Sequence, residues 1–74
     1  MKNDELLKKL GEECKYFRMF IHKIQSDAAI DTDYSIESIS AFERGRTNNL
    51  KILLWYIENG YDITDFIKRW NNEN

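Results

Sequence analysis

Apolar residues recur along this chain at steps of three and four. Leu6, Leu7, Leu10, Cys14, Phe17, Ile21 and Ile24 fall on one face of a helix when wound at 3.6 residues per turn. Asn3 suits the N-cap of that helix, and Asp4 and Glu5 suit the positive end of its dipole. Gly11 lies inside the periodic run, where it costs about 1 kcal/mol relative to Ala. A glycine there argues for close approach by a neighbouring element.

The periodicity then shortens. Ser26 to Thr32, with Ala28 and Ala29 at its centre, reads as a short helix. Asp31-Thr32-Asp33 breaks it, because Asp tolerates turn and left-handed backbone. Ser35 is placed to cap the next helix, with Ile39 and Phe42 inward and Gly45 as its stop. Thr47-Asn48-Asn49 offers caps for a fourth helix, whose expected core stripe is Leu50, Leu53, Leu54 and Ile57 and whose stop is Gly60. Asp62 opens a last short helix, with Asp65 in its first turn and Phe66, Ile67 and Trp70 as its apolar contacts. Val is absent, and the β-branched residues that are present sit at helical spacing. The pattern predicts an all-α chain of five helices and no strand.

Length bounds what such a chain can do. With 74 residues one small domain is the ceiling, so residues 1–74 read as a single unit with 71–74 as a frayed tail. One cysteine, Cys14, forms no internal disulfide, which sets aside a disulfide-stapled scaffold. The longest apolar stretch, Ile52 to Ile57, is far short of the ~20 residues of a membrane span. The first ten residues lack the apolar region of a signal peptide, so the expected location is the cytoplasm.

Charge narrows the choice of partner. Eleven basic and thirteen acidic residues leave a net charge of −2, which excludes a polybasic, histone-like binder. Asp27, Asp31 and Asp33 are uniformly acidic, whereas Arg44, Arg46 and Lys51 face only Glu37 and Glu43. Any nucleic-acid site is therefore local. The acidic trio lacks the glycine and distal glutamate of a calcium loop, and His22, the one histidine, has no Cys or acid at ligand spacing, so no metal or cofactor is expected. Cys14, on the inner face of the first helix, reads as a buried thiol. No nucleophile stands beside a base and no Gly-rich phosphate loop is present, so the chain does not read as an enzyme. Ile52, Trp55 and Tyr56 fall outside the expected core stripe of the fourth helix, and Trp55, Tyr56 and Trp70 are the candidates for a homodimer or partner interface.

Two short helices joined by a tight turn form a helix-turn-helix pattern. Specific residues sharpen it. Leu10-Gly11-Glu12 with Phe17-Arg18, then Gln25 three residues before Ala28-Ala29, then Ser35, Ile39, Ser40, Phe42, Glu43, Arg44 and Gly45 resemble the Cro/repressor-type (XRE) helix-turn-helix family. The resemblance runs from about Leu10 to Phe66. Ser40 to Gly45, Ile52-Leu53-Leu54 and Asp65-Phe66 look most like the DNA-binding domains of peptide-responsive regulators of Gram-positive bacteria.

The resemblance implies a five-helix, lambda-repressor-like bundle and a buried ion pair between Arg18 and Glu43. It also implies a DNA face. Gln25 would meet a phosphate at the start of the second helix. A recognition helix of about Ser35 to Glu43 would bring Ser35, Ile36, Glu37, Ser40 and Ala41 to the major groove, with Arg44, Arg46, Thr47 and Asn48 along the backbone. Ile36 suits a thymine methyl and Glu37 a cytosine amino group. The chain departs from the family at Ile24, where a capping Thr or Ser is usual, at Ala28 and Thr32, where larger apolar residues are usual, and at Asp33, where the turn glycine is usual. Glu37 and the acidic trio oppose the phosphate field. The function that the resemblance implies is a small sequence-specific transcriptional regulator of bacterial or phage type, in the cytoplasm of a bacterial cell or phage-infected host, that binds double-stranded DNA weakly as a monomer and usefully as a dimer. The rival expectation is a protein-binding module of the same fold, an antirepressor or host-factor inhibitor whose partner is a protein such as a repressor.

Overall fold

The computed structural model describes the backbone of residues 2–73 and the side chains of residues 4–73. Five helices follow one another: α1 (Lys2–Phe20), α2 (Gln25–Thr32), α3 (Ile36–Glu43), α4 (Leu50–Glu58) and α5 (Ile63–Glu73). There is no strand among the described residues. The radius of gyration is 11.7 Å, close to the roughly 11 Å of a folded globule this long. α1 runs across the bundle and packs on α3 and α4, while α2 packs on the same two helices. α1 begins at Lys2, ahead of Asn3; the expected cap by the Asn3 side chain lies outside the described residues.

Helix ends follow local chemistry. Asn49 and Ser35 accept from the backbone N–H groups of Ile52 and Ser38, each at 3.1 Å, and Asp62 accepts from Asp65 N–H at 2.9 Å. α3 closes with Gly45 at φ 77°; the Arg46 N–H reaches the Ala41 carbonyl at 2.9 Å and the Gly45 N–H that of Phe42 at 3.0 Å. That pair of bonds is a Schellman closure. α4 closes the same way at Gly60, φ 114°.

α1 closes this way too, at a residue with no glycine signal. His22 takes φ 62°, its N–H bonds Met19 O at 3.0 Å, and Lys23 N–H bonds Arg18 O at 3.0 Å. The expected continuation through Ile21 and Ile24 is therefore corrected: Ile24 is the N-cap residue of α2 and is exposed. An isoleucine has no side-chain acceptor for the cap. Instead Asp27 accepts from Ile24 N–H at 2.8 Å, half of a capping box.

The core holds Cys14, Ala28, Ile39, Phe42, Ile52, Trp55, Tyr56, Tyr61 and Phe66. α4 therefore buries a different stripe from the expected one. Ile52, Trp55 and Tyr56 are 1%, 4% and 0% exposed, whereas Leu50 and Leu54 are 65% and 45% exposed. Leu53 and Ile57 are half-buried at the edge. Aromatic area and polar partners decide the rotation. Tyr56 stacks on Phe42 at 5.6 Å, and Trp55 Nε1 donates to Asp31 Oδ2 at 2.8 Å. This removes Trp55 and Tyr56 from the interface candidates, because both lie inside the protomer. Trp70 is half-buried and stacks on Phe66 at 6.3 Å. Ile67, expected inward, is 49% exposed. α5 is tied to α1 by Arg69, which donates twice to Glu13 at 2.7 Å; from the connection before α5, the Tyr61 hydroxyl donates to the same carboxylate at 3.1 Å.

No helix among the described residues is long and apolar enough to cross a membrane.

Candidate nucleic-acid interface

α2 and α3 are joined by Asp33, Tyr34 and Ser35 alone. Asp33 makes the turn by adopting φ 63°, the left-handed region that a short polar side chain tolerates. The two helices pack closely because Ala28, fully buried, presents only a methyl group. Thr32 hides its hydroxyl by donating to the Ala28 carbonyl at 2.7 Å. Ala28 and Thr32 are thus the buried residues of α2.

The inner face of α3 is Ile39, Phe42 and Glu43, all buried. Glu43 accepts four hydrogen bonds from three residues. Arg18 donates Nε to Oε2 at 2.8 Å and Nη2 to Oε1 at 3.1 Å. Gln25 Nε2 donates to Oε1 at 3.1 Å, and the Tyr56 hydroxyl donates to Oε2. Arg18 also spends Nη1 on the Lys23 carbonyl at 2.9 Å. Burial by itself raises the pKa of Glu43, but hydrogen bonds from Arg18, Tyr56 and Gln25 outweigh it and hold the carboxyl below its ordinary value. The bond from Arg18 raises the guanidinium pKa in turn. Buried charges are tolerated when paired and fully hydrogen-bonded, and no buried side-chain polar atom among the described residues lacks a partner. The structure thus brings Arg18 and Glu43 together, and with them Gln25 and Tyr56.

The outer face of α3 carries the other singled-out residues. Ile36 is 46% exposed, Glu37 and Arg44 are exposed, and Ser40 and Ala41 are half-buried. Arg46, Thr47 and Asn48 are exposed on the loop that follows. Two residues differ from the simple expectation. The Ser35 oxygen is occupied as the α3 cap and lies 3.1 Å from the Ser38 hydroxyl. Gln25 gives one amide N–H to Glu43, and its second N–H has no hydrogen-bond partner among the described residues. The acidic trio also resolves into separate roles. Asp27 caps α2 and Asp31 receives Trp55, while Asp33 makes the turn through its backbone. Among the described residues no group of His, Cys, Asp or Glu is placed to hold a metal ion. Cys14 is fully buried, and burial pushes its thiol pKa up.

One feature escaped sequence reading. A cleft of about 420 Å³ lies between α1 and α3. α1 lines it with Lys8, Glu12, Lys15 and Tyr16; Ser40 and Arg44 line it from α3, and Gln25 and Glu43 also reach it. The signal was the spacing of Lys8, Glu12, Lys15 and Tyr16, a second helical stripe on α1 beside the apolar one.

Comparisons of the chain with models of known families, with curated proteins and with solved structures returned no match.

Proposed function

We propose that this chain is a small, sequence-specific DNA-binding regulator of the helix-turn-helix type, with α2 and α3 as the motif in a lambda-repressor-like bundle. The supporting observation is the division of α3 into two faces. Its inner face is latched through Glu43 to Arg18, while Ile36, Glu37, Ser40 and Ala41 face outward. A helix held rigidly at one end and open along the opposite face is what insertion in a major groove requires. Arg44, Arg46, Thr47, Asn48 and the free N–H of Gln25 supply donors to phosphates at its margins. The cations among these residues are few, so a monomer binds weakly, and dimerisation on a two-part operator multiplies the affinity.

A protein partner is the second reading. An apolar and an acidic residue, Ile36 and Glu37, stand at the start of the outward face of α3, where donors to DNA would be most useful. One experiment separates the two. Selection from a random-sequence duplex pool at low salt should enrich a motif. Arg46→Ala should weaken binding across all sequences, and Glu37→Gln should change which sequence is preferred. No enriched duplex at low salt would overturn the DNA reading in favour of a protein partner.

A further inference from the structure

We propose that the cleft between α1 and α3 is a second phosphate-binding surface, in which Lys8, Lys15, Tyr16 and Arg44 hold the sugar–phosphate backbone of duplex DNA beyond the helix-turn-helix itself. The proposal rests on the DNA reading and extends it to a helix outside the motif.

The cleft has a direction. At one end, Gly45 packs on the backbone of Lys8, where an added Cβ would lie 2.6 Å from the Lys8 nitrogen, so Lys8 and Arg44 are neighbours. At the other end, Gln25 is bonded to Glu43, which is bonded to Arg18 of α1; Lys15 and Tyr16 lie within one turn of Arg18. The Gln25 end is where the DNA reading already brings a phosphate. A strand passing Gln25 continues along the cleft past Lys15 and Tyr16 towards Lys8 and Arg44.

Charge favours an anion there. Lys8, Lys15 and Arg44 line one cleft, and none of them enters a salt bridge among the described residues. Glu43 does not offset them, because its charge is matched by Arg18. Glu12 is the one opposing carboxylate. The spacing favours a polyanion over a single small ion. Lys8 and Lys15 are separated by about 10 Å along the axis of α1, at ~1.5 Å per residue, so the cations are strung along the cleft rather than gathered at one point. Tyr16 is 59% exposed and adds a hydroxyl donor of the kind that phosphates accept.

The test is a titration of the full chain with a random-sequence duplex pool at several salt concentrations. The double variant Lys8→Ala/Lys15→Ala should weaken binding equally for all sequences. The slope of log affinity against log salt should become shallower by about 2, at ~0.9 for each phosphate that a lysine no longer neutralises. Glu12→Gln should tighten binding. All three positions are exposed, and matching urea midpoints would show that folding is intact. If the parent chain binds the pool and Arg46→Ala weakens it, but the double variant keeps the parental slope, the cleft proposal falls and the DNA reading stands. If the parent does not bind the pool at low salt, the DNA reading falls and takes the cleft with it.

Discussion

Arg18 and Tyr56 converge on a single atom: both donate to Oε2 of Glu43. One residue comes from α1, the other from α4, and the acceptor from the last turn of α3. Gln25 adds the first residue of α2 through Oε1. Four helices therefore meet at one carboxylate. The orientation of α3 against the bundle depends on this group as much as on the apolar packing of Ile39 and Phe42.

Removing one partner of a buried pair leaves a bare charge. Arg18→Met should therefore destabilise the fold by about 3–5 kcal/mol. The double variant Arg18→Met/Glu43→Leu should cost clearly less than the sum of the two single changes, because neither charge is then stranded. Urea unfolding of all four proteins measures this. Additive losses would mean that the two side chains act independently.

Acid should loosen the same latch. The folded pKa of Glu43 lies below its ordinary value of 4.5. The stability that this shift contributes is fully present above about pH 4.5 and is lost as pH falls through the folded value. Glu13 adds a dependence of the same sign, held down first by its bond from Arg69. Unfolding free energy measured down a pH series should decline below that point. Glu43→Gln should start from lower stability and decline less steeply.

Some of this was legible in the residues and some was not. Ser35, Asn49, Gly45 and Gly60 mark helix ends because capping oxygens and left-handed glycines have few other uses at such positions. The end of α1 was hidden, since His22 adopts its left-handed backbone without a glycine to announce it. The Arg18–Glu43 approach came through resemblance to a family; spacing alone does not join residues 25 positions apart. On α4, two apolar stripes satisfy the same periodicity. Hydropathy favoured the leucines, whereas the Tyr56 hydroxyl and the Trp55 indole N–H had polar partners waiting inside, Glu43 and Asp31. The cleft on α1 was missed because its lysines read as an ordinary solvated face until α3 was laid beside them.

The two stripes of α4 give opposite outcomes on truncation. Ile52 is 1% exposed, so Ile52→Ala should cost about 2–5 kcal/mol through reduced burial and a residual cavity. Leu54 is 45% exposed, and Leu54→Gln should stay within about 0.5 kcal/mol of the parent. Thermal or urea unfolding distinguishes them directly. A larger loss at Leu54 than at Ile52 would place the core on the leucine side of the helix.

Gly11 sets two physical effects against each other. It lies in the interior of α1, where Ala is the better helix former by about 1 kcal/mol, so propensity alone predicts that Gly11→Ala stabilises the chain. The tertiary packing predicts the reverse. A Cβ at Gly11 would lie 2.7 Å from the carbonyl oxygen of Glu43 and would also press on that of Phe42. Both obstacles are backbone at the end of α3, which cannot swing aside as a side chain can, and the Glu43 side chain there is fixed by Arg18, Gln25 and Tyr56. Overpacking of this kind costs about 1–3 kcal/mol and exceeds the propensity gain over most of that range. Gly11→Ala should therefore lower the urea midpoint. Lys9→Ala, an exposed site on the same helix, should leave it nearly unchanged. A raised midpoint for Gly11→Ala would mean that α1 and the end of α3 stand farther apart than the close packing at Gly11 requires.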